Sequence, residues 1–242
     1  MAANFKVLVF TPIWGRHKVV QVWHEGVKRL NSYWPEMFEF IPFGVVSNTE
    51  DVRLCDRLGI EHTIAENKPL GAKHNKGLQA TKEFNYDYII QLGSDDVIFN
   101  DYLPYLAYAM NKGVDIAGVE ELYFWDCKNA KGVLFQVMNG INKVIGAGRI
   151  ISRKAIEALD FTLWADGINS GLDFSSQQKL AAKGFKTEVI ITSCPVVADF
   201  KTANNIWTYN HFQGQSITFE EIKKHLSANE IKAIHEVARA EN

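Results

Sequence analysis

Residues 88–99 read YIIQLGSDDVIF, with Asp95 and Asp96 side by side after an apolar run and a Gly-Ser step. Paired hard oxygen donors suit Mg²⁺ or Mn²⁺, ions that bridge to substrate phosphates. Two adjacent carboxylates hold their charges poorly without a cation nearby. The competing reading is a capped polar turn, a setting that Ser94 and both aspartates also favour.

Four further stretches carry chemistry. PLGAKHNKGLQAT opens a helix from a loop: Gly71 and Gly77 permit close backbone approach, Lys73 and Lys76 supply cations and Asn75 an amide. Free N–H groups and the dipole at such a start favour phosphate. An ordinary solvated helix start is the plainer alternative, and neither the Walker nor the G-x-G-x-x-G signature is present. TPIWGRH places Thr11 and Pro12 at a strand end, with Trp14 able to stack on a base and Arg16 able to contact a diphosphate; a lone Trp is more commonly core. Asp173, behind Ser170 and Gly171, reads either as a carboxylate stabilised at a helix N-terminus or as a general base. Asp199 and His211, in ADFKTANNIWTYNHF, stand near a predicted strand end, where either could complete a metal shell. A solitary His is more often structural or exposed.

These residues need a frame. KVLVFTPI reads as a first strand, and Val19, Val20, Trp23, Val27 and Leu30 recur at helical spacing over about 17–33, before Pro35. FEFIPFGVVS is a second strand, with Pro42 implying an edge or bulge. VRLCDRLG is a short helix closed by Gly59, IEHTIAE a third strand, and DYIIQLGSDD a fourth whose continuous apolar run suits burial on both faces. DYLPYLAYAMNKG reads as a helix closed by Gly113. Strand and helix therefore alternate, which implies a parallel sheet covered by helices. In such sheets ligands bind outside the carboxyl ends of the strands, where TPIWGRH and Asp95–Asp96 fall. In the second half, VDIAGVEELYFWDC and GVLFQVMN read as strands joined through KNAKG. GLDFSSQQKLAAKG is a helix ended by Gly184, and TEVIITSCPVVADF returns to strand. Thr218–Glu221 and Ser227–Glu230 have the capping-box form.

The chain has 242 residues, 47% hydrophobic and 22% charged, with a formal net charge of −2. That is an ordinary globular composition with no global basic field to draw nucleic acid or membrane. Cys55, Cys127 and Cys194 are far apart and match no zinc spacing, which suits thiols in a reducing compartment. The N-terminus lacks the basic region of a signal peptide, and VLVF is far too short to span a bilayer. The expectation is a cytoplasmic protein without an integral membrane segment.

In this order the segments resemble the GT-A nucleotide-sugar glycosyltransferases, family-2-like members especially. TPIWGR stands where the first strand meets the nucleotide, and VSN, ending at Asn48, closes the second strand. PLGAKHNKGLQAT is similar to the family's G-x-K/R-x-N-x-G segment, LGSDD to its D-x-D region, GAGRIISRKAIE to its acceptor-side segment, and SGLDFSSQQKL to the start of its acidic helix. The resemblance implies a Rossmann-like mixed, mostly parallel α/β sheet flanked by helices. It covers roughly residues 5–212; the expected domain is 1–212, with 213–242 as a helical tail packed on the same domain. It also implies a donor, a UDP-sugar, held by Thr11, Pro12, Trp14, Arg16, Asn48, Gly71, Lys73, Asn75, Ser94 and Asp95. Mn²⁺ or Mg²⁺ would sit on Asp95, Asp96 and His211, and Asp173 would be the base of an inverting transfer. Gly93 stands where the family's first D-x-D aspartate is usual, leaving His211 or Asp199 to compensate. Leu172 stands where an acidic residue often precedes the base. The implied acceptor is a glycan, a lipid-linked sugar, a protein or a modified nucleic-acid base. Tyr123, Phe124, Trp125, Trp164 and Trp207 are candidates for an acceptor platform, with core packing the plainer role. The amphipathic tail suits packing or a homodimer contact. A nucleotidyltransferase and a catalytically inactive nucleotide-sugar-binding module are the alternatives.

Overall fold

The computed structural model describes residues 4–137, 144–203, 211 and 213–241. Its first half runs β1 (Phe5–Pro12), α1 (His17–Tyr33), β2 (Phe38–Val46), α2 (Thr49–Leu58), β3 (Glu61–Ile64), α3 (Leu70–Ala80), β4 (Tyr88–Gln91), β5 (Asp96–Ile98) and α4 (Leu103–Asn111). Then follow β6 (Ile116–Gly118), β7 (Glu121–Asp126), β8 (Lys131–Gln136), β9 (Arg149–Ser152), α5 (Arg153–Glu157) and α6 (Leu172–Ala182). The chain closes with β10 (Thr187–Val189), β11 (Val197–Lys201), β12 (Gln215–Ile217), α7 (Phe219–Lys223) and α8 (Ala228–Glu241).

The strands form two sheets. Seven lie in the order β10-β6-β9-β4-β1-β2-β3, and five in the order β12-β8-β7-β11-β5. In the larger sheet β9 alone runs antiparallel to its neighbours β4 and β6. The expected mixed, mostly parallel sheet flanked by helices is therefore what the chain forms. Val7–Phe10 of β1 have no solvent exposure, the consequence of helices on both faces. Trp23, Val27 and Leu30 of α1 are buried in the same core as Val7, Val9 and Ile90, each such side chain contributing roughly 1.5–3 kcal/mol by leaving water. Asn48 caps α2 by accepting from the Asp51 N–H, and Gly59 ends it in the left-handed conformation. Pro42 lies inside β2 but one residue before β3 begins to pair at Phe43, so β2 has a strand on only one side at that point and no ladder bond is lost there.

The second sheet departs from the sequence reading. VDIAGVEELYFWDC is two strands, β6 in the large sheet and β7 in the small one, and Asp96–Ile98, starting at the second aspartate, is itself a strand, β5. TEVIITSCPVVADF likewise divides into β10 and β11. An apolar run reports burial, not which sheet accepts it.

The tail docks on α1. Glu230 of α8 is fully buried and accepts from Arg29 Nε at 2.8 Å and Nη2 at 3.0 Å. Thr218 and Glu221 form the capping box of α7, and Glu230 also caps α8 by accepting from the Ser227 N–H. Among the described residues, no helix is long and apolar enough to cross a membrane. All three cysteines are free thiols; burial pushes the Cys55 thiol up to about 12.

Candidate functional site

The Asp95–Asp96 pair is built by a turn. In an extended strand adjacent side chains point to opposite faces. Here Asp96 N–H donates to the Gly93 carbonyl at 3.2 Å, so the chain reverses over Ser94 and Asp95 before β5 begins. The Asp96 carboxylate folds back to accept from the Gly93 N–H at 2.6 Å. A Cβ on residue 93 would stand 2.8 Å from Asp95 Oδ1 and 2.9 Å from Asp96 Oδ2. The turn that gathers the two carboxylates thus leaves no room for a third at that position.

The third comes from β11. Asp199 is the cross-strand partner of Asp96 in the antiparallel β5–β11 pair, and one oxygen of each of Asp95, Asp96 and Asp199 lies within 4.8 Å of the others. All three are buried. Like charges placed directly opposite are destabilising, and their surroundings record it. Burial, then Asp199 and Asp95, push the Asp96 carboxyl well above the usual range. Burial also pushes Asp199 up to about 7, against the pull of Lys201.

Two cations answer this charge. Arg16 Nη1 donates to Asp95 Oδ2 at 3.0 Å, and its Nη2 donates to Ser94 Oγ at 2.9 Å. Burial opposes the guanidinium charge, yet Asp95 and its neighbours hold it above its ordinary value. Lys201, two residues from Asp199 and so on the same strand face, places Nζ 2.5 Å from Asp199 Oδ2. Lys201 was not among the residues singled out from sequence; the Asp-x-Lys spacing at strand period is the signal that could have found it. Asp199 Oδ1 is buried without a hydrogen-bond partner among the described residues. A buried carboxylate oxygen with that lack, beside two more carboxylates, fits a hard divalent ion. His211 is exposed and is not part of this group.

The β1–α1 loop brings Arg16 into place. Gly15 and Arg16 both have left-handed backbones, at φ 61° and 49°; for a non-glycine residue that costs roughly 1–2 kcal/mol. Asp51, fully buried, accepts from the Gly15 N–H, from His17 Nε2 and from Asn48 Nδ2. Lys73 Nζ donates to the Ile13 carbonyl at 2.8 Å and to Asn67 Oδ1, and burial draws it down to about 8 against the opposing pull of Asp51. Thr11 Oγ1 is buried without a hydrogen-bond partner among the described residues, Pro12 is half-buried and Trp14 is exposed.

Gly71 and Asn75 act on the chain itself. A Cβ on Gly71 would stand 1.9 Å from the Ala165 carbonyl oxygen. Asn75 accepts from the Leu163 and Trp164 N–H groups and donates to the Trp164 carbonyl and Asp166. Together they pin the 163–168 loop to α3. Tyr123, Phe124, Trp125 and Trp164 are buried; Trp207 lies outside the described residues.

Asp173, in the first turn of α6, is half exposed, and its Oδ1 lies 3.5 Å from Nη2 of the fully buried Arg149. The same nitrogen donates to Gln91 Oε1 and Ser176 Oγ, each at 2.8 Å. Gln91 ends β4, so this network ties Asp173 to the strand that leads into Asp95. Gly146 packs against the carboxylate: a Cβ there would stand 2.0 Å from Asp173 Oδ1, so any side chain at that position would displace it.

No family model and no curated protein matches the sequence. Solved structures do match in shape. Residues 1–349 of S. aureus TarS align with a TM-score of 0.53 at 12% identity, over 81% of this chain and 60% of that one. The mannosyltransferase PcManGT from Pyrobaculum calidifontis, solved with GDP-Man and Mn²⁺, aligns at 0.52 and 11%, over 83% of this chain and 57% of that one. The chain thus spans less than two thirds of either protein. These likenesses show the fold alone: a mixed, mostly parallel α/β sheet flanked by helices, shared with both proteins.

Proposed function

We propose that the chain is a metal-dependent glycosyltransferase, moving a sugar from a nucleotide diphospho-sugar, a UDP-sugar, to an acceptor hydroxyl with inversion. The observation that carries this reading is the buried carboxylate group with its unpartnered Asp199 oxygen, at the strand-end edge where open α/β sheets bind ligands. Asp95, Asp96 and Asp199 would hold the ion. When bound, it supplies Lewis-acid stabilisation of the charge that develops on the departing diphosphate.

The rest of the work belongs to the chain. The β1–α1 loop, with Thr11, Pro12, Trp14 and Arg16, faces the nucleotide, and Asn48, Gly71, Lys73, Asn75 and Ser94 complete or brace that pocket. Arg16 is preorganised by Asp95 and Ser94, so its guanidinium needs little reordering to meet a phosphate. Asp173 is the base: its carboxylate takes the proton of the acceptor hydroxyl, whose oxygen bonds to the anomeric carbon as the bond to the diphosphate oxygen breaks on the opposite face. The nucleoside diphosphate leaves with that bond's electrons. Arg149, whose Nη2 lies 3.5 Å from Asp173 Oδ1, orients that carboxylate. Three free thiols suit a cytoplasmic setting.

The test is to incubate the protein with UDP-sugars and with GDP-mannose, with Mn²⁺ or EDTA, and to measure released nucleoside diphosphate. Mn²⁺-dependent release from a UDP-sugar is expected. The Lys201–Asp199 pair, an internal cation on the third carboxylate, favours a second reading as an inactive nucleotide-sugar-binding module. Nucleotide binding without release from any donor would select it.

A further inference from the structure

Lys201 is set among the carboxylates as a cation would be. Its Nζ lies 2.5 Å from Asp199 Oδ2 and 3.9 Å from Asp95 Oδ2, and 5.0 Å from the centre of the Phe124 ring. The side chain is nine-tenths buried, so water screens its charge poorly. Arg16 sits on that same Asp95 oxygen at 3.0 Å. Three carboxylates therefore already carry two positive partners.

A divalent ion entering this group brings two more positive charges within a few ångströms of the ammonium. Coulomb repulsion over that distance, at the effective dielectric of a protein interior, is large compared with thermal energy. The ion must also share or take over an oxygen that Lys201 holds. Strand geometry keeps the lysine backbone beside the group, so that only its flexible side chain can swing aside, since residues 199 and 201 share one face of β11, and β11 is held on both edges by β5 and β7.

Resting on the metal-site reading above, we propose that Lys201 is a resident counter-cation that weakens divalent-ion binding at Asp95, Asp96 and Asp199 and gives way when the ion enters. It holds the carboxylates together in the metal-free protein and sets a low affinity for the ion.

Electron paramagnetic resonance, counting free Mn²⁺ against protein at pH 8 without nucleotide, tests this. Lys201→Met and Lys201→Gln are expected to bind Mn²⁺ at least about tenfold more tightly than wild type, and Lys201→Arg is expected to match wild type. Unchanged or weaker binding in both neutral variants, with intact thermal melts, overturns the inference and leaves the metal site standing. No Mn²⁺ on any of the proteins overturns the metal site and this inference with it. Should the neutral variants not fold, acetylation of Lys201 in wild type, followed by mass spectrometry, decides. Displacement raises its rate relative to exposed lysines when Mn²⁺ is bound, and an unchanged rate in the Mn²⁺-loaded protein overturns the inference.

Discussion

Replacing Asp199 by Asn removes one of two carboxylates that face each other across β5 and β11, and it should make the metal-free protein more stable. Burial holds the folded carboxyl at about 7 against an ordinary 3.8. The folded state therefore binds this proton more tightly than the unfolded state, so the site's contribution to stability is intact below pH 3.8 and lost as pH rises through about 7. About three pKa units at 1.36 kcal/mol each set a ceiling of ~4 kcal/mol. The opposing effect is loss of the Lys201 pair, and breaking a buried pair costs roughly 3–5 kcal/mol when the remaining charge is left uncompensated. Lys201 keeps Asp95 at 3.9 Å, so it is not left uncompensated, and relief of the cost of burying the Asp199 charge, with the carboxylate repulsion added to it, wins. Asp199→Asn should gain up to ~4 kcal/mol at pH 8 and only about 1 kcal/mol at pH 4.5, at roughly 2–4 °C in Tm per kcal/mol for a chain of this size. Mn²⁺ should stabilise wild type by about 2.7 kcal/mol at a hundred times its Kd and leave the variant unmoved. The assay is thermal and urea denaturation of both proteins at the two pH values, with and without Mn²⁺. A variant no more stable than wild type at pH 8, or a gain that does not grow with pH, would refute the reasoning.

Three other perturbations probe other parts of the frame. Asp173→Asn is expected to lower transfer by roughly 10²–10⁴-fold while nucleotide affinity, read by calorimetry, stays at the wild-type value; retained turnover would reject Asp173 as the base. His74 is buried against Phe10 and Trp164, its Nδ1–H donating to the Leu70 carbonyl, and burial holds it down at about 4. Its contribution is present above pH 6.5 and lost as pH falls through 4, so wild type should lose up to ~3 kcal/mol over that window relative to His74→Phe, as parallel urea titrations would reveal. Gly71→Ala drives a methyl into the Ala165 carbonyl and should destabilise by about 3 kcal/mol, visible as a lower urea midpoint at unchanged slope.

Much of this protein is written in local pattern. The alternation from β1 to β4, the stripe that buries α1, the caps at Asn48, Gly59 and Thr218, and the two aspartates at the end of an apolar run all rest on contacts within a few residues, which periodicity and turn chemistry report directly. The residues that complete the site are different in kind. Asp199 meets Asp96 only because a three-residue strand, β5, pairs antiparallel with β11 in one register; a slip of one residue would turn Asp199 to the other face. So short a strand carries no periodicity to declare that pairing. Lys201 follows from the same register, and Arg149 reaches Asp173 only because β9 enters the parallel sheet in reverse beside Gln91. Asn75, whose type and place suggested a ligand contact, spends its amide on the backbone of Leu163 and Trp164 and on the Asp166 carboxylate, in a loop distant in sequence. The sequence by itself determined the alternating elements from β1 to β4 and put two carboxylates at a strand end. Only the tertiary structure decided which charges surround them, because cross-strand register is a global property of how two sheets pack.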